Sequence, residues 1–500
     1  MLFNLGKLTD PSKDPKAVAL IDCTDFADPQ TYTHESLDML AYAFARGLVA
    51  RGLQPGDSVA LMAINSAQYL IAYLGTMRAG MVAVPVNYKL AQDTIELILN
   101  DCAARLVLVD GPRAGQLPPG TDAVRLDNAE WSAFLDHGPF ETVRPAPNAC
   151  AMILYTSGST GRPKGVQLSH EGQLWALEAR TKGRAAIDQE RFIVAAPLFH
   201  MNALASCKLV LVAHASMVLL PQFEAKQFIA AIERFGVTWV TSVPTMMAMV
   251  VAQKEALAAI DTRHVRYVRM GSAPATDQLY AAVQAAFPKA TLAGGYGTTE
   301  GGPVVFGPAA GKTIPGGGLG WPSPGVEVRL VGPGGDSESD GELWMRTPAN
   351  MLGYLNLPEK TRQVLTEDNW YKSGDVFHRD PQGCYFFVGR VDDMFNCGGE
   401  NIYPGEVEQV IERMPAVMQA IVVPVPDEIK GQKPVAFVVL RAGHEIGEDE
   451  VKNFVLANAP AYQHPRKVWF LDSLPLAATN KVDRRELMRL AQAPAAAVSA

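Results

Sequence analysis

Excess positive charge, clustered cysteine and long apolar runs are all missing from this chain. Its six cysteines (Cys23, Cys102, Cys150, Cys207, Cys384 and Cys397) are scattered, with no CxxC pair and no Cys/His ligand spacing. That excludes a disulfide scaffold and a zinc ribbon, and leaves reduced, mostly structural thiols in a cytoplasmic protein as the expectation. No stretch approaches the ~18 apolar residues of a spanning helix, and the N-terminal MLFNLGKLTDPSKDPK has no sustained apolar core. Secretion and membrane insertion are both disfavoured. With 44 Lys and Arg against 52 Asp and Glu, the formal net charge of -8 provides no field for nucleic acid. Any anionic substrate must be held by local donors.

What is present is a chain of 500 residues, 48% hydrophobic and 19% charged, too long for one typical core. From Ser58 short apolar runs alternate with amphipathic ones: SVALMAI, QYLIAYLGTMRAG, MVAVPV, a helical stretch to Leu99, then RLVLVD. The pattern restarts at FIVAAP and continues through SMVLLP, VTWVTSV and VRYVRM. Strand-helix-strand repetition predicts an α/β fold, with parallel sheets covered by helices in two successive subdomains. After Gly301, glycine- and proline-rich turns separate VEVRLV and GELWMR, which predicts a small antiparallel, barrel-like layer. The last hundred residues read as a compact α+β module. The expected organisation is an N-terminal domain over 1–390, a small mobile C-terminal domain over 391–490 and a disordered, low-complexity tail over 491–500.

The most informative segment is Tyr155 to Val166, YTSGSTGRPKGV. Glycines at 158, 161 and 165 allow backbone N–H groups to point into one concavity, while Thr156, Ser157, Ser159 and Thr160 add hydroxyls and Lys164 a point charge. This is a phosphate cradle, with a flexible polar turn as the alternative. It is not a Walker loop, because Lys164 is followed by Gly165 and Val166 instead of Ser or Thr. An apolar-periodic segment follows from Gln167 to Leu177.

The segment resembles the phosphate-loop signature of the adenylate-forming (ANL) superfamily of acyl-CoA synthetases, peptide-synthetase adenylation domains and luciferases. Four further segments resemble that superfamily in its order. In GGYGTTEGG the resemblance puts Gly295, Tyr296, Gly297 and Thr298 around the nucleotide, Thr299 on the α-phosphate and Glu300 on magnesium. One carboxylate suits Mg2+, which keeps most of its waters and takes other ligands from phosphate oxygens. Upstream, Gly271, Ser272 and Ala273 form a strand-to-helix turn whose family equivalent lies along the adenine. Asp375 and Arg390 are implied at the ribose or a phosphate, and Asp392 as the hinge between domains, although either of the first two could be a surface ion-pair residue. In NCGGENIYPGEVE, Gly398, Gly399 and Asn401 are implied at the CoA thiol arm, while helix-start chemistry explains Pro404 and Glu406 equally well. In LPLAATNKVDRREL, Lys481 is implied to bridge the carboxylate and the α-phosphate while the adenylate forms. Asn480 replaces the usual glycine before this lysine, and Asn tolerates the left-handed conformation.

The resemblance implies an ATP-dependent acid-thiol ligase: a carboxylate attacks the α-phosphate, pyrophosphate leaves, and a thiol then displaces AMP. CoA is the expected acceptor, because the chain stops soon after Lys481 with no carrier domain following. The segment PLFHMN resembles 4-coumarate and fatty acyl-CoA ligases, which implies His200 at the mouth of the carboxylate site. The expected acyl pocket is walled by His200, Asn202, Val240, Ser242, Met246, Met270, Gly271, Gly294, Gly295 and Val304. Its small glycines suit a flat aryl or hydroxycinnamate-type acid but would also admit an alkyl chain. A medium-chain fatty acyl-CoA synthetase and a stand-alone amino-acid adenylating enzyme are the alternatives. ATP, Mg2+ and CoA are the expected cofactors and co-substrates, acting on a small-molecule carboxylic acid in a monomer or homodimer.

Overall fold

Runs such as SVALM can only be strands buried on both faces, and they assemble accordingly. The computed structural model describes residues 2–157, 162–182, 186–273, 275–309, 311–441, 443–475 and 482–492. A first seven-stranded sheet is ordered Gly353–Tyr354, Pro163–Ser169, Cys150–Ser157, Val82–Pro85, Ser58–Met62, Ala104–Val109 and Ala123–Arg125. Its last five strands pair in parallel, and the first three are antiparallel. Every residue of Ser58–Met62 is buried, as both-sided helical cover requires.

The second seven-stranded sheet is ordered Thr291–Gly295, Tyr267–Gly271, Trp239–Ser242, Arg191–Val194, Ser216–Leu219, Val18–Asp22 and Gln30–Thr33. All its pairings are parallel except the terminal one between Val18–Asp22 and Gln30–Thr33. The chain therefore begins in the second sheet, builds the first, and returns. The alternation of runs did not reveal that return. Helix starts are set locally: the Thr33 and Ser36 hydroxyls close a reciprocal capping box for His34–Ala50, and Ser66 Oγ accepts from Tyr69 N–H at 3.2 Å.

The glycine-rich stretch forms a third sheet with antiparallel pairings, including Tyr371–Arg379 with Tyr385–Arg390 and Glu327–Gly332 with Gly335–Ser337. Gly334, Gly335 and Asp336 are exposed at that last hairpin, and Ser337 is half-buried. By compactness the chain divides into one unit of Met1–Pro315, Leu319–Val328 and Trp344–Ser373, and another of Gly316–Gly318, Arg329–Leu343 and Gly374–Ala500. Asp375 and Arg390 thus group with the second unit.

Within the second unit, Val417–Asp427 and Gly431–Leu440 form a long hairpin joined by Phe395–Cys397, Glu400–Ile402 and Val468–Phe470. Helices Pro404–Glu412 and Glu448–Asn458 cover one face through Val407, Val410, Ile411, Val451 and Val455. The other face takes Leu487 of the helix Arg484–Gln492. That helix runs through Ala491 and Gln492, which the sequence reading had assigned to a disordered tail. Leu487, Met488, Leu490 and Ala491 pack on one apolar cluster and prolong it. Residues 493–500 lie outside the described residues.

Candidate active site

The segment Tyr155–Val166 is the turn region of a β-hairpin, with Thr156 paired to Lys164 and Tyr155 to Gly165. Gly158, Ser159, Thr160 and Gly161 lie outside the described residues, as does the side chain of Ser157. The apolar-periodic segment from Gln167 to Leu177 spans two elements: Val166 and Leu168 are buried at strand period, and the helix His170–Thr181 starts only after Ser169. Gly165 does packing work there: a Cβ would lie 3.0 Å from Ile153 Cγ2 and 3.0 Å from Tyr155 Cζ. The hairpin stem is fastened from outside the sheet. Tyr155 donates its hydroxyl to Asp101 at 2.6 Å, and Asn356 Nδ2 donates to the same carboxylate at 3.2 Å. Burial, then that hydrogen bond, raises the Tyr155 phenol above its ordinary range, so it stays a donor.

Two features of this stem point to a ligand. The Thr156 hydroxyl oxygen is buried and has no hydrogen-bond partner among the described residues, a costly state that a phosphate oxygen would relieve. Lys164 Nζ donates to the Tyr354 hydroxyl at 3.3 Å and lies 4.4 Å from the centre of the same ring. Tyr354 in turn donates to Glu300 Oε1 at 3.0 Å. The phosphate-loop lysine and the magnesium candidate therefore converge on one phenol that the motif reading did not single out.

Glu300 stands on a turn built for close contact. A Cβ at Gly297 would fall 2.6 Å from Gly302 O, and one at Gly301 2.4 Å from Met345 Sδ. Gly301 N–H donates to Thr298 Oγ1 at 2.8 Å, Thr347 Oγ1 donates to Gly301 O at 3.2 Å, and Met351 N–H donates to Glu300 O at 2.7 Å. Thr299 is half-buried on the same turn, and the Tyr296 ring is tilted against Phe306 at 5.8 Å. Ser272, exposed after the strand Tyr267–Gly271, holds φ at 70°, a left-handed conformation rare outside glycine.

The acyl-pocket candidates divide. Val240, Met246 and Met270 are buried members of the hydrophobic core behind the second sheet. His200 is the residue before the helix Met201–Val212, with its ring 4.6 Å from that of Phe199. Asn202 Nδ2 reaches Ser242 O at 3.5 Å, while Ser242 Oγ donates to Arg269 O at 3.0 Å. Gly271, Gly294 and Gly295 end two adjacent parallel strands, and Val304 is half-buried beyond them. Arg269 was missed: a Cβ at Gly295 would lie 2.6 Å from its Nη2, so Gly295 makes room for a guanidinium at this wall. Its only signal was a charged residue inside an otherwise apolar strand.

In the second unit, Asp375 and Arg390 are cross-strand partners, with Nη1 3.7 Å from Oδ1. Asp375 is buried and Arg390 half-exposed, so the carboxylate is fixed and the fork faces outward. Asp392 is exposed on the turn that follows. Gly398 and Gly399 hold φ at 66° and 95° as the two-residue turn of the hairpin Phe395–Cys397 and Glu400–Ile402. That turn alone demands both glycines. Asn401 lies opposite Asn396, whose Oδ1 accepts from Gly399 N–H at 2.9 Å. Lys481 lies outside the described residues. Its flanks are ordered by an Asp483 N–H to Pro475 O hydrogen bond of 2.8 Å and by Arg484, which donates to Glu408 and to Val422 O.

No three His, Cys, Asp or Glu side chains converge as a metal cage among the described residues. What the described residues bring together instead is a hairpin lysine, an unsatisfied threonine hydroxyl and one carboxylate on a glycine-packed turn. The chain belongs to the AMP-binding enzyme family, whose model matches residues 9–355, with the AMP-binding enzyme C-terminal domain matching 406–481. Within that family it is an AMP-forming acyl-CoA synthetase that uses ATP and CoA. It is 34% identical to a feruloyl-CoA synthase from Amycolatopsis sp, over 91% of this chain and 93% of that one. It is 33% identical to the fatty acid–[acyl-carrier-protein] ligase ScoC of Streptomyces coeruleorubidus, over 92% and 91%. The crystal structure of ATP-bound MatB from Rhodopseudomonas palustris superposes with a TM-score of 0.89 at 27% identity, covering 98% of this chain and 99% of that one. No helix among the described residues is long and apolar enough to cross a membrane.

Proposed function

We propose that the enzyme activates an aryl or hydroxycinnamate-type acid and transfers it to CoA. The observation that carries the nucleotide half of this reading is the convergence of Lys164 and Glu300 on Tyr354, with the unsatisfied Thr156 hydroxyl on the same hairpin. In this reading Lys164 and the hydroxyls of the 156–160 segment hold the β- and γ-phosphates, and Thr299 holds the α-phosphate. Tyr296 and the Gly271–Ala273 turn flank the adenine, while Asp375 and Arg390 hold the ribose. Glu300 would hold Mg2+, which supplies charge neutralisation at the phosphate oxygens.

The chemistry is positioning and electrostatics, with no protein nucleophile. The acid's carboxylate oxygen attacks the α-phosphorus, pyrophosphate leaves, and Lys481 offsets the charge where the two anions meet. His200 stands at the mouth of the carboxylate site. The CoA sulfur then attacks the acyl carbon and AMP departs, with the hairpin Gly398, Gly399 and Asn401 beside the thiol arm. Asp392 is the hinge on which the small domain, counted from 391, turns between the two half-reactions.

The feruloyl-CoA synthase likeness supports the aryl acid. The ScoC likeness favours a fatty acid and a carrier-protein thiol as the second reading. Pyrophosphate release should be measured over benzoate, cyclohexanecarboxylate, coumarate, ferulate and a series of fatty acids, with CoA or a carrier protein as acceptor. The aryl reading requires the highest kcat/KM on an aromatic acid, and a fatty acid outrunning all of them overturns it. Lys481→Ala should nearly abolish adenylate formation yet spare thioester formation from supplied acyl-AMP; an undiminished ATP-dependent rate removes Lys481 from the chemistry.

A further inference from the structure

The phenol between Lys164 and Glu300 is placed by backbone, not by chance contact. Gly353–Tyr354 pairs with Gln167 and Val166 at the edge of the first sheet, beside the strand that carries Lys164. Tyr354 N–H donates to Thr361 Oγ1 at 2.9 Å, and Leu355 N–H donates to Gly165 O at 2.7 Å. The ring itself is 5% exposed. The hydroxyl is therefore fixed in space before any ligand arrives.

Its hydrogen-bond polarity is also fixed. An ammonium can only donate and a carboxylate can only accept, so Tyr354 accepts from Lys164 and donates to Glu300. Each bond polarises the next in the same sense. The phenol holds Glu300 Oε1, and no protein donor to Oε2 is found among the described residues. One oxygen is tethered and the other remains for a cation.

Resting on the ATP and Mg2+ reading above, we propose that Tyr354 is the positioning residue of the phosphate site, orienting the Glu300 carboxylate that would hold Mg2+ and registering Lys164 against the nucleotide phosphates. An outer partner of a metal carboxylate is worth roughly 10- to 100-fold in metal affinity when removed. A phenylalanine keeps the ring under Lys164 and deletes only the hydroxyl.

Equilibrium binding of ATP, titrated calorimetrically with and without Mg2+, tests this on the full-length Tyr354→Phe, Glu300→Gln and double variants. Thermal unfolding of each variant provides the folding control. Tyr354→Phe is expected to weaken Mg2+-dependent ATP binding about tenfold, to leave Mg2+-free binding within about twofold, and to add nothing further in the Glu300→Gln background. Equal loss with and without Mg2+, or full additivity with Glu300→Gln, overturns the assignment. If Glu300→Gln itself leaves the Mg2+ dependence of wild type unchanged, the magnesium reading fails instead. Should Tyr354→Phe unfold early, Tyr354→His, which retains a ring donor, must restore part of the Mg2+ dependence, and its failure to do so also counts against the proposal.

Discussion

Lys208 illustrates what single residues withhold from the sequence. It lies on the helix Met201–Val212 with an apolar-looking neighbourhood, yet its ammonium is 1% exposed and donates to Gln173 Oε1 at 2.9 Å. Burial, then the nearby Arg180 charge, pushes it from its ordinary 10.5 down to about 7. A depressed folded value means that the unfolded chain binds the extra proton. The stability tied to this residue is thus fully present above about pH 10.5 and is lost as pH falls towards about 7. Lys208→Met should therefore gain Tm relative to wild type as pH is lowered across that window. Scanning calorimetry at several pH values checks it, and a pH-independent difference would mean that Lys208 is not titrating. At the same scale Thr156, Lys164 and Glu300 stand out in the sequence because their types suit phosphate and magnesium chemistry. Tyr354 and Arg269 do not, because a tyrosine after a glycine or an arginine in a strand declares nothing until the sheet brings it to its partner.

Among elements, strands and helices followed their apolar period, and the errors came where two periods abut. Gln167, Leu168 and Ser169 belong to a strand whose partner lies ten or more residues upstream, so the single apolar-periodic segment read from Gln167 to Leu177 ran across a strand end and the helix beginning at His170. The end of the helix Arg484–Gln492 falls within the stretch from 491 expected to be disordered, because an alanine-rich composition hides its packing on the Phe437 and Leu474 cluster. Glu408 ties this helix down. Its side chain is 12% exposed, and its carboxylate accepts from Arg484 Nη2 at 2.9 Å and from Val422 N–H at 2.8 Å. Glu408→Ala would leave Arg484 half-buried without its counter-charge, costing about 3 kcal/mol in the second unit. Because Arg484 lies three residues after Lys481 in the chain, adenylate formation should fall more than thioester formation from supplied acyl-AMP. Equal losses in the two half-reactions would show that the pair serves stability alone.

At the level of the whole molecule, the prediction concerns the passage from Arg390 to Asp393. Asp392 is exposed and its turn is closed by Asp393 N–H to Arg390 O at 3.2 Å. Asp392→Pro restricts φ there and should slow CoA transfer more than adenylation, read by pyrophosphate release against thioester formation. Equal slowing of both steps would place the hinge elsewhere. The α/β class and the family were determined by sequence alone, because hydrophobic period and the motif residues are written close together along the chain. Tertiary structure decided that Val18–Thr33 joins the second sheet and that Asp375 groups with the C-terminal unit. It also decided that one buried phenol links Lys164 to Glu300. Such pairings depend on which distant segments share backbone hydrogen bonds and bury apolar surface together, and no local pattern encodes that choice.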